Sequence, residues 1–333
     1  MGYKALKTKV DGKMNRLKRT MLCVLVFLLA ALLVLSCIYP PESWKYYFAL
    51  PKVGERNSGE MRIHFIDVGQ GDCTLIELPD GKTVLIDGGN DSSSTKKSVL
   101  RYLNALKIER IDHLVITHAD SDHCGGIDEV IRFKKVLNAY LPYSSKSSDT
   151  EYAEAYTALA EEKCELHTAS RTIEIRADGE TPYVLSFLYP QVELEGEDEE
   201  TNNNETSAVI WLDYMGVSAL FAGDAPTSVE QSILLDDKLG FFEEKKVDLK
   251  STEILKVSHH GSADSSSLDF LQYLNVRTAV VSCGKDNVYG HPDGAVLDSL
   301  KSVGAEIYRT DEKGHVTVTV KRDGTYAVKT VKS

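Results

Sequence analysis

The 333-residue sequence predicts an α/β domain that follows one N-terminal apolar helix. Residues 21–39 form a run of about 19 residues without a charge, close to the roughly 20 residues that cross a bilayer. From residue 61 onward, short β-type segments are interspersed with segments of helical periodicity. Several of the apolar β-type segments end directly in His or Asp residues, so we expect one sheet edge to carry a polar site.

Basic residues precede the apolar run and predict its orientation in a bacterial cell membrane. Seven Lys and Arg residues but only one acid lie before residue 20. Because basic flanks stay in the cytoplasm, we expect residues 1–20 inside, residues 21–39 in the membrane and the rest of the chain outside the cytoplasm. The run is either a retained single anchor or a lipoprotein-type signal, since Leu33-Val-Leu-Ser-Cys37 resembles a lipobox in which Cys37 is lipidated.

The charge of the remaining chain counts against general binding of polyanions. Of 38 Lys and Arg residues seven precede residue 20, and of 50 Asp and Glu residues one does, which leaves a net charge of about −18. Such a charge disfavours electrostatic attraction to a phosphate backbone. A nucleic-acid substrate would therefore have to be held by local groups.

Pro and Gly residues in 40–60 indicate a linker, and the domain is expected at 61–333. The first half of this domain predicts a strand at 62–68, a hairpin of 73–78 with 83–86, a helix at 96–106 and a strand at 113–117. The hairpin ends at Asp87, and the last strand runs directly into His118.

The second half of the domain repeats the hairpin pattern. It predicts a helix at 151–162, a hairpin of 207–214 with 217–221, strands at 254–258 and 278–282, and meandering β-structure at 305–331. This second hairpin ends at Asp224, as the first ends at Asp87. Two similar halves that each deliver an Asp at a strand end indicate a pseudo-duplicate around a shared cleft.

A dense cluster of potential metal ligands follows the strand at 113–117. It comprises His118, Asp120, Asp122 and His123. A buried cluster of charges is costly unless it is paired or bound to metal. In a tight loop the alternating residues of the cluster would share one side, with His123 reaching a second ion. The alternative is a polar loop with helix-capping Asp residues.

Four motifs in order resemble one known family. The run Thr117-His-Ala-Asp-Ser-Asp-His-Cys-Gly-Gly126 resembles the HxHxDH motif of the metallo-β-lactamase superfamily, with Asp120 in place of the middle His. The run is accompanied by Val68-Gly-Gln-Gly-Asp72, Ser258-His-His-Gly-Ser262 and Tyr289-Gly-His-Pro292, and the set is similar to the hydrolase domain of the ComEC competence proteins. Those proteins carry a many-helix channel domain, whereas this chain has one apolar span, so we expect it not to form a DNA channel by itself.

The resemblance implies a four-layer αββα sandwich with two metal ions at one edge, between the sheets. It implies His118 and Asp120 at one ion, Asp122, His123 and one of His259 and His260 at the other, and Asp224 as the bridge. Zinc-using members carry a His before the bridging Asp, where this chain has Asn204-Glu-Thr-Ser207. Asn204 or Ser207 would give a weaker oxygen ligand or order the loop. Oxygen ligands favour Mn²⁺ or Mg²⁺, with Zn²⁺ as an alternative.

Further residues are candidates to support the ligands or to contact a substrate. Asp87 would orient the His118 loop, or it is an ordinary turn residue. Asp72 would contact the site or cap backbone amides. Of His259 and His260, one would be a ligand and the other a substrate contact or acid.

Hydroxyl and imidazole groups after the later strands are candidates to hold a phosphate. Ser262 and the run Ser265-Ser-Ser267 would do so together with helix-start amides, or they only cap the following helix. His291 would contact phosphate or donate a proton to the leaving group, or it is a surface residue.

The predicted function is that of a two-metal hydrolase. The first hypothesis is a phosphodiesterase, most simply a nuclease that acts on extracellular DNA, in which a metal-bridging hydroxide positioned by Asp122 attacks phosphorus. The second is hydrolysis of an envelope phosphodiester such as teichoic acid, or of a lactone or lactam. The third is a non-catalytic binding module, which the intact set of ligand-type residues disfavours.

Overall fold

The computed structural model describes residues 2–142, 150–177, 179–191 and 202–332, with side chains from residue 13 onward. The basic side chains of Lys4, Lys7 and Lys9, which contribute to the predicted orientation, therefore lie outside the described part. The chain divides into two compact units, Met1–Ala49 and Leu50–Ser333.

The first unit is a long helix followed by a short one. Helix α1 spans Gly2–Ile38, and a 3₁₀ helix spans Pro41–Tyr46 inside the stretch expected as a linker. The segment Lys13–Ile38 contains an 18-residue stretch with a mean hydropathy of 3.1. By length and composition this helix could cross a membrane, which agrees with the predicted anchor and equally with a signal sequence.

The second unit contains two sheets among the described residues. The first sheet has the order β15-β14-β1-β2-β3-β4-β5-β6. Its strands are β1 (Met61–Phe65), β2 (Thr74–Glu77), β3 (Thr83–Ile86), β4 (Arg110–Val115), β5 (Lys135–Leu141), β6 (Glu165–Thr168), β14 (Val316–Val320) and β15 (Tyr326–Thr330).

The second sheet has the order β13-β12-β11-β10-β9-β8-β7. Its strands are β7 (Glu174–Ala177), β8 (Tyr183–Tyr189), β9 (Val209–Tyr214), β10 (Val217–Phe221), β11 (Thr252–Lys256), β12 (Thr278–Val281) and β13 (Glu306–Arg309).

Helices connect the strands and cover the sheets. They are α2 (Ser93–Ala105), α3 (Ser121–Cys124), α4 (Ile127–Phe133), α5 (Thr150–Glu161), α6 (Thr227–Lys238), α7 (Leu268–Tyr273), α8 (Gly294–Ser302) and α9 (Thr310–Lys313). Short 3₁₀ turns lie at Asn203–Thr206, Leu249–Ser251 and Ser258–Gly261.

The main core lies between the two sheets. Phe65 of β1 and Phe221 of β10 are buried there, with ring centroids 6.3 Å apart, and Phe187 of β8 joins them. Because side chains alternate along a strand, residues between these positions point to the outer faces. On the outer face of the second sheet, Leu220 and Leu255 pack with buried side chains of α6, α7 and α8.

The outer face of the first sheet is covered in the same way. Leu75 of β2 and Leu85 of β3 alternate along their strands with residues of the inter-sheet core, so they point to the outer face. Both are fully buried, as are Val99 and Leu103 of α2. The result is the expected αββα sandwich, which is confirmed.

Parallel strands bring the site residues to one edge. Strands β3, β4 and β5 are parallel, and so are β10, β11 and β12. The carboxyl ends of parallel strands meet at the same edge of a sheet, and the polar loops follow those ends. The hairpins β2–β3 and β9–β10 end at Asp87 and Asp224, so the predicted similarity of the two halves is present.

The tail differs from the predicted meander. Strand β13 pairs in parallel with β12 in the second sheet, whereas β14 and β15 form an antiparallel hairpin in the first sheet. The helix α9 between them carries the chain from one sheet to the other. A β-type pattern does not say which sheet a strand joins, so sequence periodicity could not reveal this crossing.

Candidate metal centre

Asp87 holds the loop that begins at His118. Its carboxylate accepts hydrogen bonds from the Thr117 backbone amide at 2.8 Å and from the Thr117 hydroxyl at 2.7 Å. The same carboxylate lies 2.8 Å from Nδ1 of His123, so this nitrogen donates to it. A carboxylate that accepts from the far nitrogen of a histidine fixes the ring and leaves Nε2 for a ligand position. This arrangement supports the predicted orienting role over that of a turn residue.

We expect Asp87→Asn to weaken metal binding by about 10- to 100-fold, because the amide cannot accept from both Thr117 and His123. Titration of the metal-free chain with Mn²⁺, followed by electron paramagnetic resonance of the free ion, measures the change. Asp112→Asn is the matched control, since Asp112 is a buried acid of β4 that accepts from the Thr83 amide at 3.0 Å, away from the cluster. Equal losses in both variants would contradict an orienting role.

His123 and Asp224 converge without bonding each other. His123 is fully buried, and its Nε2 lies 3.1 Å from Oδ1 of Asp224. Within the described part of the chain, neither atom has an aligned hydrogen-bond partner. Two close, buried and unsatisfied ligand-type atoms are typical of groups that share a cation.

The loop before β2 lies directly against the His118 loop. A Cβ atom on Gly71 would lie 2.3 Å from the carbonyl oxygen of Asp122, and Gly71 has a φ of 129°. Only glycine fits this approach without a shift of the backbone. The Asp72 amide then donates to the Asp122 carbonyl at 3.1 Å, which brings the Asp72 side chain to the cluster.

His260 faces the cluster, and His259 lies beside it. His260 is buried, and its Nδ1 donates to the Ser282 carbonyl at 2.9 Å. Its Nε2 lies 3.1 Å from Asp122 Oδ2 and 3.4 Å from Asp224 Oδ2. His259 is half-buried, with Nδ1 3.0 Å from Asp264 and Nε2 3.7 Å from Asp224. Both histidines have positive φ, 47° and 53°, which turns their rings to different sides of the centre.

Asp224 occupies the middle of the arrangement. It follows β10, is 2% exposed, and its backbone amide donates to the Ser207 hydroxyl at 3.2 Å. One carboxylate oxygen faces His123 and the other faces His260. Asp224 therefore lies between the two histidines, at the place where the family resemblance implies a bridging carboxylate.

Asp72 lies in the centre and does not cap backbone amides. Among the described residues, neither of its carboxylate oxygens accepts an aligned hydrogen bond. Oδ2 is in an ion pair with Lys256 and lies 3.9 Å from His123 Nδ1, while Oδ1 lies 3.8 Å from His260 Nδ1. The capping interpretation of Asp72 is therefore wrong, because the glycine-rich turn directs the side chain inward.

His118 and Asp120 form the second half of the cluster. Nε2 of the buried His118 lies 3.6 Å from Asp120 Oδ2, and the His118 and His123 ring centroids are 4.1 Å apart. Asn203 donates to Asp120 Oδ1 at 2.6 Å, a contact that sequence reasoning missed. Asn204 is buried with its Oδ1 unsatisfied within the described residues, and its Nδ2 lies 3.5 Å from His259 Nε2.

Ser207 and Asn204 therefore have different roles in the structure. Ser207 orders the loop by accepting the Asp224 amide, as one of the two alternatives expected. The buried carbonyl oxygen of Asn204 has no hydrogen-bond partner among the described residues, so it stays a candidate oxygen ligand.

The hydroxyl of Ser265 is used within the loop that precedes α7. Ser265 is 2% exposed and donates to the carbonyls of Ser258 and Ser262 at 3.0 and 3.1 Å, so it orders its own loop. The predicted cap of α7 is the last serine of the run, Ser267, which accepts from the Phe270 amide at 3.4 Å. A run of serines offers several possible caps, and only the backbone path selects among them.

His291 lies at the rim of the centre. Its ring is 5.7 Å from that of His259 and stacks on Tyr289 at 5.8 Å. Partial burial, and next the neighbouring imidazoles of His259 and His260, lower the pKa of His291. A neutral ring suits a hydrogen-bond donor to substrate better than the proton donor that the sequence also allowed.

The residues present fit a metal centre. One ligand-type atom each from Asp72, His123, Asp224 and His260 lies within 4.8 Å of the others, and all four residues are buried. His118, Asp120 and Asp122 adjoin this group. Buried polar atoms that lack partners are costly unless a cation or water satisfies them.

The electrostatics of the centre favour positive charge. Burial alone would lower the pKa values of His123 and His260, but the surrounding carboxylates, Asp224 first among them, together outweigh burial and raise both, that of His123 well above its usual range. Burial would raise the pKa of Asp224, yet these imidazoles hold it well below its usual range. These directions indicate that the carboxylates around the centre stabilise cationic charge at this position.

Lys256 is the chief residue of the centre that sequence reasoning missed. It is 3% exposed, pairs with Asp72 and lies 4.0 Å from Asp224. A signal was available, because Lys256 shares a strand face with Ile254, two residues away in an apolar strand. A lysine directed into a core must meet an acid there.

The comparisons with known proteins agree with this architecture. Residues 66–285 match the family described as "Metallo-beta-lactamase superfamily". The chain is 29% identical over 289 residues to ComE operon protein 3 of Bacillus subtilis (strain 168), covering 81% of this chain and 34% of that protein. It is 30% identical to competence protein ComA of Neisseria gonorrhoeae, covering 78% and 32%. The chain thus spans about a third of the length of these relatives.

Solved structures also resemble the chain. CmlA, a diiron beta-hydroxylase from Streptomyces venezuelae, matches with a TM-score of 0.48 and 16% identity, over 80% of this chain and 55% of that one.

Proposed function

This chain belongs to the metallo-beta-lactamase superfamily, and from that premise we propose that it is a two-metal phosphodiesterase that cleaves DNA outside the cytoplasm. The observation that carries the proposal is the convergence of buried ligand atoms from separate loops around Asp224, where carboxylates and imidazoles are present in equal number. Two-metal sites of this kind serve in-line displacement at phosphorus.

Each half of the centre would hold one ion. We propose His118 and Asp120 for one, and Asp122, His123 and His260 for the other, with Asp224 shared. Asn204 and His259, whose side chains lie 3.5 Å apart, would border one of the ions. The oxygen-rich donor set favours Mn²⁺ or Mg²⁺, and three imidazoles keep Zn²⁺ as an alternative.

Bound divalent ions would supply an activated water and would stabilise the charge that develops on the attacked phosphate. The chain's own residues hold the ligand rings in place, orient the water and contact the phosphate. Asp87 keeps the His123 ring in place, and the Ser282 carbonyl does the same for His260. Asp122, held against His260, would orient the attacking water. His291, neutral at the rim, would donate its N–H to a phosphate oxygen.

DNA is the favoured phosphodiester because of the likeness to the ComEC competence proteins. The charge of about −18 beyond residue 20 opposes a long polyanion, so the metal ions and the rim of the centre would have to hold it. The apolar helix at Lys13–Ile38, with basic residues before it, supports a membrane-tethered domain outside the cytoplasm.

The test uses the full chain, purified in mild detergent, stripped with chelator and resupplied separately with Mn²⁺, Zn²⁺ or Mg²⁺. Each sample is given labelled single- and double-stranded DNA, a glycerol-phosphate polymer and a lactone. We expect DNA cleavage to return with one ion and to vanish in Asp122→Ala.

The other arms identify the rival substrates. Cleavage of the glycerol-phosphate polymer without DNA cleavage would move the substrate to the envelope, and lactone opening alone would exclude a phosphodiesterase. Metal binding with no hydrolysis in any arm would favour a binding module.

A further inference from the structure

Lys256 enters the metal centre from the second sheet. It ends β11, where Ile254 packs in the inter-sheet core and Leu255 and Val257 pack on the helix side. Strand alternation therefore places Lys256 on the inner face. Its neighbours in register are Phe221 of β10 and Val280 of β12, both of the buried core, so the side chain extends past them to the loops at the sheet edge.

The ammonium group is held at three points. Nζ donates to the Gly223 carbonyl at 3.2 Å, in the turn that presents Asp224. It lies 4.0 Å from Asp224 Oδ1 and in direct contact with Asp72 Oδ2. Lys256 thus links the loop of Asp72, which belongs to the first sheet, to the turn of Asp224, which belongs to the second.

Asp72 has the position of a ligand but a different partner. Its carboxylate is near His123 and His260, and an ion could take it as a further oxygen donor. Its closest cation, however, is Lys256, and both side chains are almost fully buried. A buried carboxylate that is paired with an ammonium group has little remaining charge to offer a metal ion, and separating the pair is costly.

The formal charges around the centre are consistent with an Asp72 that pairs with Lys256 and not with a metal ion. Five carboxylates line it in the described structure: Asp72, Asp87, Asp120, Asp122 and Asp224. With Lys256 they carry a formal charge of about four negative, which two divalent ions would neutralise. Loss of the lysine would leave one carboxylate in excess.

We propose that Lys256 is a positioning residue that retains Asp72 as an ion-pair partner, so that Asp72 shapes the centre without coordinating metal. The inference rests on the metal centre of the proposed function and is independent of the substrate. It means that one coordination position stays open to water or substrate because a lysine, and not a metal ion, holds the nearest spare carboxylate.

The test is titration of the full chain with Mn²⁺ alone, read by electron paramagnetic resonance of the free ion. In Lys256→Met the released Asp72 carboxylate is expected to tighten Mn²⁺ binding by about tenfold or more. In Asp72→Asn/Lys256→Met both charges disappear together, and two ions should bind within about threefold of the wild-type affinity.

The same titrations show which results would contradict the proposed role of Lys256. Unchanged or weaker Mn²⁺ binding by folded Lys256→Met would overturn the inference, and so would loss of an ion in the double variant, because Asp72 would then be a ligand. If Lys256→Met does not fold, the double variant decides alone. A wild-type chain that binds no Mn²⁺ overturns this inference, and it overturns the proposed function as well only if Zn²⁺ and Mg²⁺ also fail to bind. Metal binding without DNA cleavage affects only the proposed function.

Discussion

Asp224→Asn is expected to reduce hydrolysis by about 10³-fold, because the several kcal/mol that paired metal ions contribute to the transition state require a ligand between them. Asp224 is buried, and its two oxygens face His123 and His260 separately. The amide keeps the size of the side chain and removes its charge. Steady-state rates at saturating metal, with the substrate that the wild type cleaves, measure the loss.

The control for this variant lies on the same hairpin. Asp213 belongs to β9, is half-buried, and pairs in register with Ser218 of β10, away from the centre. Asp213→Asn should keep the rate within about twofold. A comparable loss in both variants would show that the hairpin, and not the Asp224 carboxylate, limits the rate.

Removal of metal is expected to lower the thermal unfolding midpoint by roughly 10 °C. An ion that binds only the folded chain, at about a thousand times its dissociation constant, stabilises it by about 4 kcal/mol, and each kcal/mol shifts the midpoint of a domain of this size by about 2–4 °C. Differential scanning calorimetry with chelator and with Mn²⁺ measures the shift.

In Asp224→Asn the same comparison should give a shift of less than about 3 °C, because the shared ligand has lost its charge. A full shift in that variant would place the stabilising ion elsewhere on the chain.

The ligand-rich loop could be predicted because its residues are adjacent in the sequence. His118 to His123 follow an apolar strand, and strand ends at one edge bring such loops together. The echo between Asp87 and Asp224 was visible for the same reason, since both follow hairpins. Local sequence pattern and sheet topology were therefore sufficient to predict the ligand loop and the two Asp residues that follow the hairpins.

The roles of Asp72 and of the two adjacent histidines depend on backbone paths that sequence patterns do not encode. Asp72 turns inward because Gly71 lies against the Asp122 carbonyl. His260 faces the centre because His259 and His260 both adopt positive φ, which few side chains do, so neither strand nor helix periodicity applies. The strand pattern could have shown that Lys256 faces the core, but its partner could not be predicted because that carboxylate lies 184 positions earlier in the chain.

The place of β14 has a consequence for biosynthesis. β14 pairs with β1 in the register Met61 with Val320, so the strand that opens the domain borders one that is synthesised some 255 residues later. Until the ribosome has delivered residues 316–320, one side of β1 keeps its backbone amides and carbonyls unpaired, and such an edge invites pairing with other chains. If the domain crosses the membrane during synthesis, the nascent chain has to be shielded on the far side until that late segment arrives. Long-range closure of this kind also predicts slow folding.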